Sequence, residues 1–300
     1  MKTNIEFTNF YKKLNILSLI LIILSIFVLL FKGLNLGVDF KGGTLIEIRT
    51  NSSSIKISEI RQSFTKMDLG DVTVKKFGKE NDFLVKIETM KSDDPSFIKS
   101  INDKLSSDTG SEINFRRVEN VGPKVSNELL KAGLLAITLS LAAMLFYIWI
   151  RFEWQFSLGA ILALFHDVII TLGIFSLFSL EINLSIVAAV LTIVGYSMND
   201  TVVIYDRVRE NLKKYADIKI FELTNISINE TLSRTIITSI TTLLALLSIF
   251  IFGGEILKGF SLAMILGVVF GTYSSIYIAN TVLVRLRVSQ KTVLKDDDKN

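Results

Sequence analysis

Apolar residues run almost unbroken from Leu14 to Phe31 and return in long stretches between 130 and 284, whereas residues 32 to 128 mix polar and apolar positions. A run of about 18 to 20 apolar residues is long enough to cross a bilayer as a helix. The pattern predicts six such spans, at 14–31, 130–150, 157–178, 184–205, 235–252 and 261–284. The first run is longer than the apolar core of a secretory signal, and the FKGLNLGVDF that follows has no small-x-small cleavage site, so it reads as a retained helix.

Between the first and second spans the period changes. GTLIEIRT (43–50), DVTVKKF (71–77), DFLVKIET (82–89) and SEINFRRVE (111–119) alternate as strands do. IKISEIRQSFTKM (55–67) and DPSFIKSINDKL (94–105) carry a helical stripe, the second with Pro95 in its first turn. The order β-α-β-β-α-β predicts a ferredoxin-like α+β domain, a fold that by itself assigns no function. Pro123 in VGPKVSNELL suits the start of the next helix. The expected organisation is an N-terminus and first helix over 1–31, an α+β domain over 32–128, a five-helix membrane bundle over 129–285 and a tail over 286–300 ending in a solvated KDDDKN.

Composition sharpens this picture: half the residues are hydrophobic and 21% are charged, against about 25% in soluble chains. The net charge of +4 does not point to nucleic acid, because residues 32–128 hold 16 basic and 15 acidic side chains. The surplus cations border the apolar runs. Lys2, Lys12, Lys13, Arg151, Arg207, Arg209, Lys213, Lys214, Lys219, Arg234, Arg285 and Arg287 fall on one side, while the short connections SLEIN and FGGEILKG hold only Lys258. The positive-inside rule then predicts both termini in the cytoplasm and residues 32–128 outside, in the periplasm of a Gram-negative cell.

The absence of cysteine excludes disulfides, thiolate nucleophiles, cysteine zinc sites and iron–sulfur ligation, and a lone histidine, His166, excludes a histidine-rich metal site. GVDFKGGT (37–44) lacks the Lys-Ser/Thr pair of a P-loop and the spacing of a dinucleotide fingerprint, and reads as a turn. No cofactor or metal is expected, so work at the membrane must be driven by an ion gradient or a partner.

Ionisable groups inside spans are costly and mark candidate sites. Asp200 lies about five residues inside one end of the fourth span, followed by Asp206 and Arg207; Arg234 opens the fifth span, LSRTIITSITT. Because the two helices run in opposite directions, Asp200 and Arg234 lie at similar depth and an ion pair is expected. Protonating Asp200 would release it. Thr238 is one turn beyond Arg234, with Thr241 and Thr242 continuing the face as a hydrated path. The alternative is that Arg234 snorkels to the interface and Asp200 caps or pairs locally. His166 and Asp167, near the middle of the third span, read equally as a proton relay or as interhelical hydrogen bonding. Gly267, Gly271, Ser275 and Ala279 recur every fourth residue and permit close helix approach.

GVDFKGGT, VGPKVSNELL, LALFHDVIITLGIFSLF, VGYSMNDTVVIYDRVRENL and LSRTIITSITTL, in that order and over nearly the whole chain, resemble the SecF family of bacterial protein-export membrane subunits. The resemblance implies a half-transporter of the RND superfamily, completed by a homologous SecD half that is absent here and is therefore an obligate partner. It further implies an accessory subunit, not an enzyme, of the inner membrane. Such a subunit uses the proton-motive force to draw preproteins through SecYEG after the ATPase SecA has pushed them, with YajC as a further contact. It places the proton pathway on Asp200, Arg234 and Thr238 and an accompanying pair on His166 and Asp167. Asp39, Gly42, Gly43, Gly122, Pro123, Asn199, Asp206 and Arg207 fall on family signature positions. Two rivals share the architecture: a half-size proton-driven exporter of small molecules, which needs an apolar pocket where KMDLGDVTVKKFGKENDF is polar, and a structural scaffold of the translocase.

Overall fold

The computed structural model describes residues 5–51, 55–76, 80–88, 95–215 and 218–297. The expected element ends at 77, 89 and 94, together with Lys2 and the last three residues of the tail, lie outside the described residues. The chain divides into two compact units, Met1–Asn35 with Ala136–Asn300, and Leu36–Leu135.

In the smaller unit, GVDFKGGT is more than a turn. After β1 (Asn35–Leu36) it forms one helical turn, α2 (Val38–Lys41), and leaves it through two left-handed glycines, Gly42 at φ 77° and Gly43 at φ 115°. Then follow β2 (Gly43–Thr50), α3 (Ile57–Thr65), β3 (Val72–Lys76), β4 (Asp82–Ile87), α4 (Pro95–Thr109) and β5 (Ile113–Val121). The sheet order is β3-β4-β2-β5 with every neighbouring pair antiparallel. Alternation sends Ile46, Ile48, Phe83, Val85 and Ile87 into a core with Ile60, Phe64, Ile101 and Leu105 of the two helices. The intervening positions carry charge: Arg49 meets Asp82 at 2.6 Å and Arg116 meets Glu47 at 3.1 Å. The hydrogen bond to Asp82 raises the pKa of Arg49 further.

Gly43 starts the central strand where no side chain fits. A Cβ there would lie 2.5 Å from the carbonyl oxygen of Ile87, in a backbone conformation that L residues avoid. Gly43→Ala is expected to cost the unit about 2 to 4 kcal/mol. Limited proteolysis of the whole protein with rising denaturant checks this: cleavage within 43–121 should come earlier, and an unchanged midpoint would contradict the steric reading.

The larger unit holds helices long and apolar enough to cross a membrane. They are α1 (Tyr11–Lys32), α5 (Pro123–Arg151, which begins in the smaller unit), α6 (Trp154–Leu177), α7 (Leu184–Lys214), α8 (Ile220–Phe252) and a last span that begins as α9 (Glu255–Ser274). The two-residue strand β6 (Glu181–Ile182) separates α6 from α7; the last span continues through a π-helical turn, Ser275–Ala279, into α10 (Asn280–Arg285), with α11 (Gln290–Asp297) beyond. α7 runs past the predicted end at 205, and α8 starts well before the predicted 235. Hydropathy measures only the apolar length; the polar extensions are helical because Val208 and Leu212 pack with Leu223, Ile228 and Leu232.

α6, α7 and the last span form the interior, while α1, α5 and α8 turn most of their apolar surface outward. The every-fourth stripe of the last span meets an every-fourth stripe of α7. A Cβ on Gly267 would come within 2.2 Å of Ile193 and one on Gly271 within 3.1 Å of Ser197. Ser275 Oγ lies 2.8 Å from Thr201 Oγ1, and Tyr205 Oη donates to Ala279 O at 3.0 Å.

Candidate functional site

Asp200 sits on the inner face of α7, only 3% exposed, with no hydrogen-bond partner for Oδ2 among the described residues. Arg234 on α8 acts on it electrostatically, yet no nitrogen–oxygen distance of 4.0 Å or less joins them. The expected ion pair is therefore open, and the reason is rotational. Arg234 lies on the exposed side of α8, while its neighbour Thr235 is buried, with no partner for its hydroxyl among the described residues.

The other charges of the motif are paired elsewhere. Asp206 takes Arg151 at 2.7 Å, and Arg207 takes Glu210 at 2.9 Å and Glu230 at 3.6 Å. Asn199 is exposed on α7. Thr238 Oγ1 donates to the carbonyls of Arg234 and Thr235, both at 3.0 Å, and Thr241 bonds its own helix in the same way. Asp39, Gly42, Gly43, Gly122 and Pro123 belong to the smaller unit, at its entry and exit. There the Ser126 N–H donates to Gly122 O at 2.9 Å and its hydroxyl to Pro123 O at 3.1 Å, closing the first turn of α5.

Sequence reasoning missed Tyr196. Its hydroxyl donates toward Thr238 O and Thr242 Oγ1, each at 3.2 Å, and lashes α7 to α8 one turn from Asp200. The i−4 spacing from Asp200 was visible; the partner helix was not.

His166 and Asp167 do face the bundle interior, at 1% and 0% exposure. His166 Nδ1 lies 2.8 Å from Asp167 Oδ1, and Asp167 Oδ2 accepts from Ser197 of α7 at 2.6 Å and Ser274 of α9 at 2.7 Å. One carboxylate thus ties three helices together. Besides Glu153, which meets Arg209 at 3.0 Å, the spans bury two acids: Asp167, held by hydrogen bonds on both oxygens, and Asp200, whose Oδ2 has no partner among the described residues. That is a place where a proton changes charge balance without breaking a covalent bond.

Residues 101–289 match the family model for the protein export membrane protein SecD/SecF, C-terminal, and residues 27–53 match the SecD/SecF GG motif. The chain belongs to the SecD/SecF family. A protein translocase subunit SecF of Rickettsia bellii is 44% identical over 283 residues, covering 94% of this chain and 93% of that protein. The SecF of Cereibacter sphaeroides is 42% identical over 305 residues, covering 98% and 93%. Among solved structures, SecDF of Thermus thermophilus, described as a translocon-associated membrane protein, superposes with a TM-score of 0.85 at 34% identity, over 95% of this chain and 39% of that one. A second SecDF structure, in a super-membrane-facing form, gives 0.71 at 32% identity, over 99% and 40%. The SecD/SecF membership and the six long apolar helices among the described residues make this a multi-pass membrane protein. The GG motif of the family coincides with Gly42 and Gly43, both at positive φ, and at Gly43 the lack of room for a Cβ is a further reason for glycine.

Proposed function

We propose that this chain is the SecF-type subunit of the Sec protein translocase, an accessory and not an enzyme. With a SecD partner it couples the proton-motive force to late-stage translocation of preproteins across the bacterial inner membrane. The observation that carries the coupling is the open oxygen of Asp200, buried in a span, within the field of Arg234 but not bridged to it. Ionised, Asp200 attracts the guanidinium and draws α7 and α8 toward a bridge; protonated, it does not. One proton moving down about 100 mV supplies about 2.3 kcal/mol, enough to bias two such arrangements. Tyr196, bonded at Thr238 O and Thr242, is the pivot about which the two helices would shift, and Thr238 positions the turn that carries Arg234.

The same reading assigns residues 32–128 to the periplasm as a ferredoxin-like domain, supported by the β3-β4-β2-β5 order, and both termini to the cytoplasm, supported by the cation bias of one side. SecYEG, SecA and YajC are its expected associates. Export of a reporter preprotein into inverted vesicles tests the function. Vesicles depleted of this chain should lose the stimulation that an imposed proton gradient gives after the ATP-driven stage, and adding it back with SecD should restore it. Equal stimulation with and without the chain would refute the reading.

A further inference from the structure

The coupling site uses Asp200 and leaves unexplained a second buried acid, Asp167, and the chain's single histidine beside it. Their geometry is that of a proton-holding dyad. Oδ2 of Asp167 is filled by two serine hydroxyls, so it acts as an acceptor, and one proton lies between Oδ1 and Nδ1 over 2.8 Å. The remaining valence is Nε2 of His166, which is buried with no hydrogen-bond partner among the described residues. With Nε2 bare the dyad carries one negative charge; with a proton there it is a neutral imidazolium–carboxylate pair. An unbalanced charge among apolar helices is expensive, so the charge state of the dyad responds to other charges in the bundle.

Those charges can be named. α1 brings no ionisable side chain between Leu14 and Phe31. The last span brings Tyr273, whose ring stacks on His166 at 5.8 Å while its hydroxyl is engaged with Leu14 O and Ser18. α7 brings Asp200, three residues from the Ser197 that holds Asp167, and α8 brings Arg234, whose field reaches Asp200. Asp167, through Ser197, and Asp200 therefore address positions less than one turn apart on α7, with Arg234 acting on Asp200. A proton gained by one changes the balance for the other.

We propose that His166 and Asp167 form a second proton-binding site, taking and releasing one proton at Nε2 of His166, in electrostatic exchange with Asp200 across the Ser197 turn. The inference rests on the coupling reading above and adds a second proton position to it. Since Ser197 and Ser274 hang on Asp167, the occupancy of the dyad also governs how firmly α6 grips α7 and α9.

The single histidine allows a direct test. The chain is labelled with ¹⁵N-histidine, combined with unlabelled SecD partner in bilayers, and its one imidazole is followed by solid-state NMR over about pH 5 to 8, the range in which imidazoles change charge. The Nε2 resonance should move between its bare and protonated positions, and the midpoint should shift in Asp200→Asn. A resonance that stays in one position throughout, or a midpoint indifferent to Asp200→Asn, would overturn the proposal. In export, His166→Gln, which keeps a donor toward Asp167 but cannot take a proton, should lower gradient stimulation several-fold. If Asp200→Asn leaves export normal, the coupling reading fails; if it abolishes stimulation while the histidine resonance is static, only the dyad proposal fails.

Discussion

Asp200→Asn is expected to reduce gradient-stimulated export to the level seen with no gradient, while the complex with SecD still assembles and ATP-driven translocation continues. Asparagine keeps the size of the side chain and removes the one property the site depends on, a charge that a proton can cancel. The expected loss is the whole bias of one proton, about 2.3 kcal/mol per 100 mV, or about 50-fold in an equilibrium between two helix arrangements. The fold should tolerate the change, because Oδ2 has no hydrogen bond to lose among the described residues and no ion pair with Arg234 is broken. Comparing native and variant complexes in inverted vesicles, with and without an imposed gradient, measures this. Full stimulation in the variant would mean that the ion passes elsewhere or that the chain acts as a scaffold.

The largest structural effect is expected from Gly159→Ala on α6. A Cβ at this position would lie 2.2 Å from Tyr205 Oη and 2.8 Å from Ala279 O, the two atoms that hydrogen-bond to each other at the π-helical turn. Tyr205 is fully buried and stacks edge-on with Phe156 and Phe152, so its ring has nowhere to retreat. Overpacking together with a broken buried hydrogen bond should cost about 2 to 5 kcal/mol. The expected signs are a lower unfolding temperature in detergent and weaker recovery of the complex. Adding Tyr205→Phe removes the closest atom, so the double variant should be more stable than Gly159→Ala alone. Strictly additive losses would show that the clash lies with Ala279 O and the backbone instead.

Much of the smaller unit was legible in the chain. The strand at 43–50 and the helix start at Pro123 coincide with the structure, because alternation and proline chemistry are local properties. The long ends of α7 and α8 were not, since a polar helical extension leaves no hydropathy signal and is held only by its packing partners. At the candidate site, depth along a helix placed Asp200, Arg234, His166 and Asp167 within the spans. Rotation about each helix axis decided the rest, and it differs for each residue: Asp167 faces inward to two serines, Arg234 faces outward, and Tyr196 reaches across to Thr238. A helix with little amphipathic asymmetry does not announce its rotation.

The sequence by itself determined how many helices can span a membrane, where the α+β domain interrupts them and which rare ionisable groups lie within them. It does so because apolar length, strand alternation and the cost of charge in hydrocarbon act on each segment independently. Only the tertiary structure decided that Gly267, Gly271, Ser275 and Ala279 match Ile193, Ser197, Thr201 and Tyr205 step for step, that Asp167 joins three helices, and that Asp200 and Arg234 stand apart. Those outcomes depend on the register and rotation of helices remote in sequence, which are set jointly by close packing of small residues and by the hydrogen bonds that buried polar groups must find.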